Sequence, residues 1–286
     1  MRIYILGISG MLGSKLFKEF LKKKYKIRGS TRVIPKDFLN YKEYVDSNLD
    51  IFDIQKLKEK INKFKPNLII NCIGIIKQKI SKTNEKNIFY INSIFPHELY
   101  KISNIIKARV IHFSTDCVFD GKKGNYDERN QTNAKDIYGF SKALGELSYD
   151  NSITLRTSII GHELNSKKSL LDWFLHLNKK NCYGYTKAYF SGLPTIEIFN
   201  FIQKFLLKKK KISGIYNLSS SRISKYDLLK KISKVYSKKI NIIKNNKLKI
   251  DRSLNSKKIK KLVNYKCPTW NILIKDMYIN HLKDHN

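Results

Sequence analysis

Tyr138 and Lys142 stand four residues apart in Tyr138-Gly139-Phe140-Ser141-Lys142, inside a helical pattern that continues to Leu147. On a helix this spacing brings both side chains to one face. A tyrosine with an ordinary pKa of about 10 exchanges protons poorly at neutral pH, but an adjacent ammonium stabilises the phenolate and makes the pair a usable acid–base unit. The spacing alone is common, and a solvated helix satisfies it too. It gains meaning from Ser114-Thr115-Asp116, which follows the apolar strand Val110-Ile111-His112-Phe113 and so falls at the C-terminal edge of a parallel sheet, where ligands bind. The hydroxyl of Thr115, with Ser114 as second candidate, would polarise a carbonyl beside Tyr138. His112, on the apolar strand itself, reads as a packed or hydrogen-bonded histidine rather than as a base.

A second constellation opens the chain. Gly7-Ile8-Ser9-Gly10-Met11-Leu12-Gly13 follows a probable first strand, Arg2 to Leu6, and starts a helix from about Met11 to Lys23. In a G-x-x-G-x-x-G turn the first glycine permits a tight turn, the second lets a pyrophosphate approach, and the third lets helix and sheet pack. Backbone N–H groups of the helix N-terminus, Met11 and Leu12 among them, then face the phosphate. Cofactor choice is written at the end of the second strand, where an acid would bind the ribose hydroxyls of NAD. Ser30-Thr31-Arg32 stands there instead, so Thr31 and Arg32 favour NADPH over NADH, which remains a possible cofactor. Asp50, Ile51 and the strand-end run Asn71-Cys72-Ile73-Gly74 are the expected neighbours of the adenine and ribose.

Short apolar runs alternate with amphipathic ones through most of the chain: Ile3 to Leu6, a helix, Lys26 to Ser30, the helical pattern Ile54 to Phe64, the strand Asn67 to Cys72, a helix around Ile91 to Ile106, and the strand Ile153 to Arg156. The alternation predicts an α/β fold, a Rossmann-like doubly wound parallel sheet covered on both faces. Beyond about residue 160 the rhythm loosens into the helical patterns Leu170–Leu177, Ile196–Leu207 and Tyr226–Tyr236 and one strand-like piece, Gly214–Leu218. Residues 1–160 are therefore expected to bind NAD(P), and residues 161–286 to form a smaller substrate-binding lobe across a soft, interleaved boundary. His162 and Glu163 fall near the expected substrate pocket, either orienting hydroxyls or capping a turn. The aromatic and basic connection Tyr183 to Gly192 suits either a stacked nucleotide base or a packed loop.

The 57 Lys and Arg against 23 Asp and Glu give a formal charge of +34. The lysines are spread along the whole chain beside an excess of Ile and Asn, the pattern of a basic solvated surface. The densest run, Lys208 to Lys211, follows an apolar helical pattern and reads as a helix end facing the negative pole of its dipole. With no recognition-helix or aromatic RNA-binding signature, nucleic acid is not an expected partner, and an anionic small molecule is. The four cysteines, Cys72, Cys117, Cys182 and Cys267, show no C-x-x-C spacing, which predicts neither disulfides nor a metal site. With no signal-peptide pattern and no apolar run of membrane-spanning length, the expectation is a cytoplasmic protein without membrane insertion, compatible with a homodimer.

Taken together, Gly7-x-x-Gly10-x-x-Gly13, Ser114-Thr115-Asp116-Cys117-Val118-Phe119-Asp120-Gly121 and Tyr138-Gly139-Phe140-Ser141-Lys142 resemble the extended short-chain dehydrogenases, most closely the dTDP-4-dehydrorhamnose reductase group. Leu155-Arg156-Thr157-Ser158, Gly214-Ile215-Tyr216-Asn217-Leu218 and Asp251-Arg252-Ser253-Leu254-Asn255-Ser256 extend the likeness along the chain. The resemblance implies hydride transfer from a nicotinamide to C4 of a nucleotide-linked 4-keto-6-deoxysugar, in the synthesis of surface polysaccharide. It implies that Tyr138 protonates the developing alkoxide, Thr115 polarises the carbonyl, and Lys142 lowers the tyrosine pKa and positions the ribose. Cys72, Ile73, Gly74 and Asn92 would line the cofactor groove.

The sequence departs from the group after Ser158, where Ile159-Ile160-Gly161 replaces an expected aromatic, leaving the sugar open. Among relatives with the same machinery, the 4,6-dehydratases carry a glutamate where this chain has Cys117, which speaks against elimination of water. An epimerase and a non-catalytic dinucleotide-binding regulator are the remaining alternatives.

Overall fold

The computed structural model describes residues 1–164, 166–209 and 211–284. Lys210, within the dense basic run, lies outside the described residues. Contacts divide the chain into two compact units: residues 1–114, 135–155 and 209–215 form the first, and residues 115–134, 156–208 and 216–286 the second.

A seven-stranded sheet lies largely in the first unit. Its strands are β1 (Arg2–Leu6), β2 (Lys26–Ser30), β3 (Val45–Asp46), β4 (Leu68–Asn71), β5 (Arg109–Ser114), β6 (Ser152–Arg156) and β7 (Gly214–Asn217), in the order β7-β6-β5-β4-β1-β2-β3. The pairings that join β5, β4, β1, β2 and β3 are parallel. The chain thus starts mid-sheet, runs to one edge, returns beside its first strand at β4 and proceeds to the other edge. This reversal between β1 and β4 is the doubly wound topology that the alternating pattern predicts. Ile3, Tyr4, Ile5 and Leu6 are fully buried, as a central parallel strand covered on both faces requires.

Helix α1 (Met11–Leu21) buries Leu12, Leu16, Phe17 and Phe20, a helical stripe facing the sheet. Helix α2 (Ile54–Phe64) is capped by Asp53, which accepts from the Lys56 N–H, and ends at Lys65 in the left-handed region. It turns Leu57 and Ile61 into a core shared with Tyr4, Ile69, Phe95 and Leu99. The Tyr4 hydroxyl donates to Asp46 at 2.7 Å, and Arg28 pairs with the same carboxylate at 3.0 Å, so the buried polar atoms are satisfied.

The helix expected over 91–106 is interrupted at its start. A short helix, Glu85–Phe89, passes into a π-turn at Tyr90–Ile94, and regular α-helix resumes only at α3 (Phe95–Ile105). Pro96 accounts for the break: it has no N–H to return to the Asn92 carbonyl one turn back. Helix α4 (Ile137–Leu144) starts at Asp136, whose carboxylate accepts from the Gly139 N–H at 2.9 Å. It ends at Leu144, three residues short of the Leu147 that the pattern predicts, and the glycine that follows, Gly145, packs against the Asn92 carbonyl where a side chain would collide.

The second unit is a mixture of short strands and helices. Strand Ala188–Phe190 lies between Ile223–Ser224 and Ile250–Asp251, Asn181–Tyr185 pairs in parallel with Asn241–Asn245, and Ile159–Ile160 pairs with Leu193–Pro194. Helices Thr195–Phe201, Lys225–Val235 and Trp270–Lys283 close around Ile198, Phe201, Leu228, Ile232 and Ile274. The aromatic run from Tyr183 that reads as a connection is largely strand. Alternating burial of Cys182 and Gly184 against exposed Tyr183 is the period of a half-covered sheet.

Candidate cofactor groove and acid–base pair

The glycine turn sits where β1 leaves the sheet. Gly7 adopts φ +80°, and a Cβ there would stand 2.8 Å from the Ile73 side chain, so the turns after β1 and β4 touch. A side chain at Gly13 would strike the Gly7 carbonyl. At Gly10, the N-cap of α1, a Cβ would make only an ordinary 3.5 Å contact with the Gly7 carbonyl, and no side chain caps the helix. Met11 and Leu12 begin the helix, leaving their first-turn N–H groups without acceptors inside it. Such a cradle, free of side chains at a helix N-terminus and at the sheet's switch point, fits a pyrophosphate.

At the end of β2 the Thr31 hydroxyl donates to the Val33 carbonyl at 2.8 Å, whereas Arg32 is exposed. Asp50 accepts from the Phe52 N–H at 3.2 Å, and buried Ile51 offers its carbonyl to the Tyr90 hydroxyl at 3.4 Å. Thr31 and Asp50 are held by bonds to residues two along the chain, Ile51 by the long-range bond to Tyr90, and Arg32 reaches into solvent.

Beyond β4 the chain is tied to the helix carrying the tyrosine. Fully buried Asn92 accepts from the Ile75 N–H at 2.8 Å and donates to the Ile75 carbonyl at 3.2 Å and to Ser141 Oγ at 3.1 Å. Ser93 adds a 2.8 Å bond to the Ser141 carbonyl. The π-turn therefore clamps Ile75 on one side and α4 on the other. A Cβ on Gly74 would lie 3.4 Å from Asn92 Oδ1 and 3.9 Å from Lys142 Nζ, so the glycine keeps this floor open. Burial pushes the neighbouring Cys72 thiol up, which leaves it protonated.

Lys142 is only 5% exposed, and burial pushes its ammonium down to about 8, opposed by Glu146 one turn on. Glu146 is itself held by Ser114, whose hydroxyl donates at 2.6 Å. Tyr138, one helical turn before Lys142, is half-buried. The lysine nitrogen meets His112 Nε2 at 3.3 Å, and His112 Nδ1 meets Asn71 Nδ2 at 3.1 Å. Burial first, then the Lys142 charge and His97, hold His112 well below its usual range, so it is a neutral imidazole. Sequence reading placed His112 as a bonded core residue and missed what it bonds. The available signal was register: Asn71 and His112 are direct partners on adjacent parallel strands. Ser141 and Gly145, which fix α4 against Asn92, gave no sequence signal.

In the second unit, Thr115 caps a single 3₁₀ turn, Asp116–Val118. Its hydroxyl accepts from the Cys117 N–H at 3.1 Å and donates to Asp116 at 3.2 Å. Glu163 caps the turn before the helix Leu170–Leu175 by accepting from the N–H groups of Lys168 and Ser169, each at 2.9 Å. His162 lies between Asp172 and the Tyr236 hydroxyl, each 3.0 Å away. An open pocket of about 550 Å³ is lined by Thr186, Tyr189, Arg222, Asp227, Lys231 and Trp270. There the Arg222 guanidinium lies 3.4 Å over the Tyr189 ring and pairs with Asp251 at 2.8 Å.

The sheet order, the glycine cradle and a buried lysine one turn from a tyrosine define a Rossmann-type α/β protein of the extended short-chain dehydrogenase class. Residues 1–282 match the RmlD substrate binding domain family, and the chain belongs to that family. Among curated proteins it is 32% identical to the dTDP-4-dehydrorhamnose reductase of Aggregatibacter actinomycetemcomitans, over 55% of this chain and 51% of that one. It is 30% identical to methionine adenosyltransferase 2 subunit beta of Xenopus tropicalis, over 51% of this chain and 41% of that one. The chain thus spans about half the length of the curated relatives it matches. Among solved structures, a hypothetical dTDP-4-dehydrorhamnose reductase from Sulfolobus tokodaii is similar at 26% identity and TM-score 0.78, covering 95% of this chain and 98% of that one. The dTDP-4-dehydrorhamnose reductase of Bacillus anthracis, solved in complex with NADP, shares the fold at 21% identity and TM-score 0.80, over 98% and 99% of the two chains.

Proposed function

We propose that the chain is an NAD(P)H-dependent reductase of the C4 ketone of a nucleotide-linked 4-keto-6-deoxysugar, serving surface polysaccharide synthesis. The observation that carries the proposal is Lys142, buried at the floor beside Gly74 and Asn92 and one helical turn from Tyr138. A buried, uncomfortable ammonium in a groove is retained for chemistry more readily than for stability. Residues 1–160 hold the cofactor in this reading and residues 161–286 the substrate, with Thr115–Ala134 joining the substrate side.

Gly7, Gly10, Met11, Leu12 and Gly13 bind the pyrophosphate through backbone N–H groups. Asp50, Ile51, Cys72, Ile73, Gly74 and Asn92 border the nucleoside. Exposed Arg32, with Thr31 beside it and no acid at the strand end, supports NADPH as the preferred form, with NADH accepted. The groove formed by these residues would hold a nicotinamide that, when bound, would supply the hydride. Tyr138 gives its phenolic proton to the sugar oxygen, Lys142 stabilises the phenolate left behind and holds the ribose, and Thr115 donates to the carbonyl oxygen by turning its hydroxyl from Asp116. The Tyr189, Arg222 and Trp270 pocket takes the anionic, aromatic end of the substrate. Among the described residues the cysteines form no disulfide, which supports a cytoplasmic setting.

The likeness to a methionine adenosyltransferase subunit favours a second reading, a dinucleotide-binding subunit without turnover. Cofactor oxidation with a panel of 4-keto-6-deoxy sugar nucleotides, run beside Tyr138→Phe, separates the two. Turnover that is lost in Tyr138→Phe supports the reductase. NADPH binding with no turnover on any substrate supports the subunit.

A further inference from the structure

The mechanism above uses Lys142 but leaves unexplained the polar chain buried behind it. The Asn71 side chain has a fixed orientation: its Oδ1 accepts from the Ile73 N–H at 3.1 Å, so its Nδ2, a donor only, is the atom that faces His112 Nδ1 at 3.1 Å. A donor on Nδ1 leaves that nitrogen as the acceptor, and a neutral imidazole then carries its proton on Nε2. Nε2 is the atom 3.3 Å from Lys142 Nζ. An N–H aimed at this nitrogen suits an amine, which has a lone pair, and opposes an ammonium, which has none. All three side chains are at least nine-tenths buried, with Asn71 1%, His112 0% and Lys142 5% exposed, so water does not relieve the mismatch.

We propose that His112, locked by Asn71 as its Nε2–H tautomer, is a positioning residue that aims Lys142 and stabilises its neutral amine, thereby setting the proton affinity of the acid–base pair. The inference rests on the reductase reading for its purpose, not for its chemistry. The charged and titratable groups around the lysine are few. Glu146 on the same segment favours the ammonium, Tyr138 lies one turn back, His112 faces it from β5, and His97 acts on His112 from α3. Asn71, Gly74 and Asn92 complete the surround without charge. Among the described residues, Glu146 is the acid that favours the charged lysine, and His112 is its counterweight. The balance leaves the amine able to change charge near neutral pH rather than at the value of a surface lysine.

Two measurements on the cofactor-free protein test this. Nitrogen-15 NMR of the imidazoles, six in the chain, reads the tautomer: His112 is expected to show a bare Nδ1 and a protonated Nε2 at pH 7. A protonated Nδ1 would overturn the proposal. Competitive amine labelling against pH, read at the Lys142 peptide by mass spectrometry, gives the lysine midpoint. Removal of the donor in His112→Leu raises that midpoint by about one pH unit, a tenfold change in proton affinity. Asn71→Asp, which retains the Ile73 bond but accepts Nδ1–H, is expected to move the imidazole proton to Nδ1 in the same NMR measurement and does not depend on His112→Leu folding. An unchanged or lowered midpoint in the folded variant refutes the donor role. Neither readout needs turnover: absence of reductase activity with the tautomer as described removes the functional reading alone.

Discussion

Replacing Lys142 by Met retains a flexible stem of similar length while removing the charge, and the structure gives the cost of that charge. Burial moves the lysine from its ordinary 10.5 to about 8, and at 1.36 kcal/mol per pH unit the folded protein carries a penalty of about 3 kcal/mol for the ammonium below pH 8. The variant also forgoes the bond that the neutral amine takes from His112, worth about 1 kcal/mol, so Lys142→Met is expected to be more stable at pH 7 by about 2 kcal/mol. The sign with pH is fixed by which state holds the proton. Between pH 8 and 10.5 the unfolded chain keeps the lysine proton and the folded chain has released it, so the stability of the parent protein rises with pH through this window. The advantage of the variant is complete below pH 8 and shrinks as pH approaches 10.5. Urea unfolding of both proteins at pH 7, 8, 9 and 10, without cofactor, measures the difference, in which the other titrating groups cancel. A variant less stable than its parent at pH 7, or a difference independent of pH, would refute the buried-charge reasoning.

Tyr138→Phe should reduce kcat by about 10² to 10⁴-fold with NADPH affinity little changed, since it removes a proton donor and leaves the cradle intact; steady-state kinetics and fluorescence titration of NADPH check this. Gly13→Ala places a methyl against the Gly7 carbonyl and should lower stability by about 1–3 kcal/mol and weaken NADPH binding, measured by thermal melting and titration. Arg32→Ser should lower the ratio of kcat/KM for NADPH over NADH by about tenfold or more, the worth of one charge-assisted bond to a phosphate. Arg222→Ala should raise KM for the sugar nucleotide with little change in kcat, and an unchanged KM would remove that pocket from the substrate site.

The doubly wound sheet was legible because β1 and β4 are dominated by apolar residues and β5 carries an apolar run broken only by His112, a signal that parallel strands buried on both faces impose on composition. The glycine turn was legible for the same kind of reason: Gly7 and Gly13 sit where any side chain would collide. The start of the helix near Asn92 was not, since a π-turn depends on one missing N–H at Pro96 and leaves the periodicity almost unchanged. The end of α4 at Leu144 depends on a contact with Asn92, about fifty residues away in sequence, which periodicity does not carry. The role of His112 shows the limit most clearly. Its residue type and apolar setting indicated a bonded core histidine, but the partner that orients it lies on the next strand. Only the β4–β5 register brings Asn71 beside it. The short strands of the second unit were hidden because two-residue and three-residue pairings leave too little sequence to show alternation.

Hydride delivery to the sugar carbonyl is the central claim, and isotope transfer tests it most directly. The protein is incubated with NADPH deuterated at nicotinamide C4 and a dTDP-linked 4-keto-6-deoxysugar, and the product is analysed by NMR. Deuterium at C4 of the sugar, absent when Tyr138→Phe replaces the parent protein, is the predicted result. Product formation without deuterium at C4, or no product while NADPH remains bound, would contradict it.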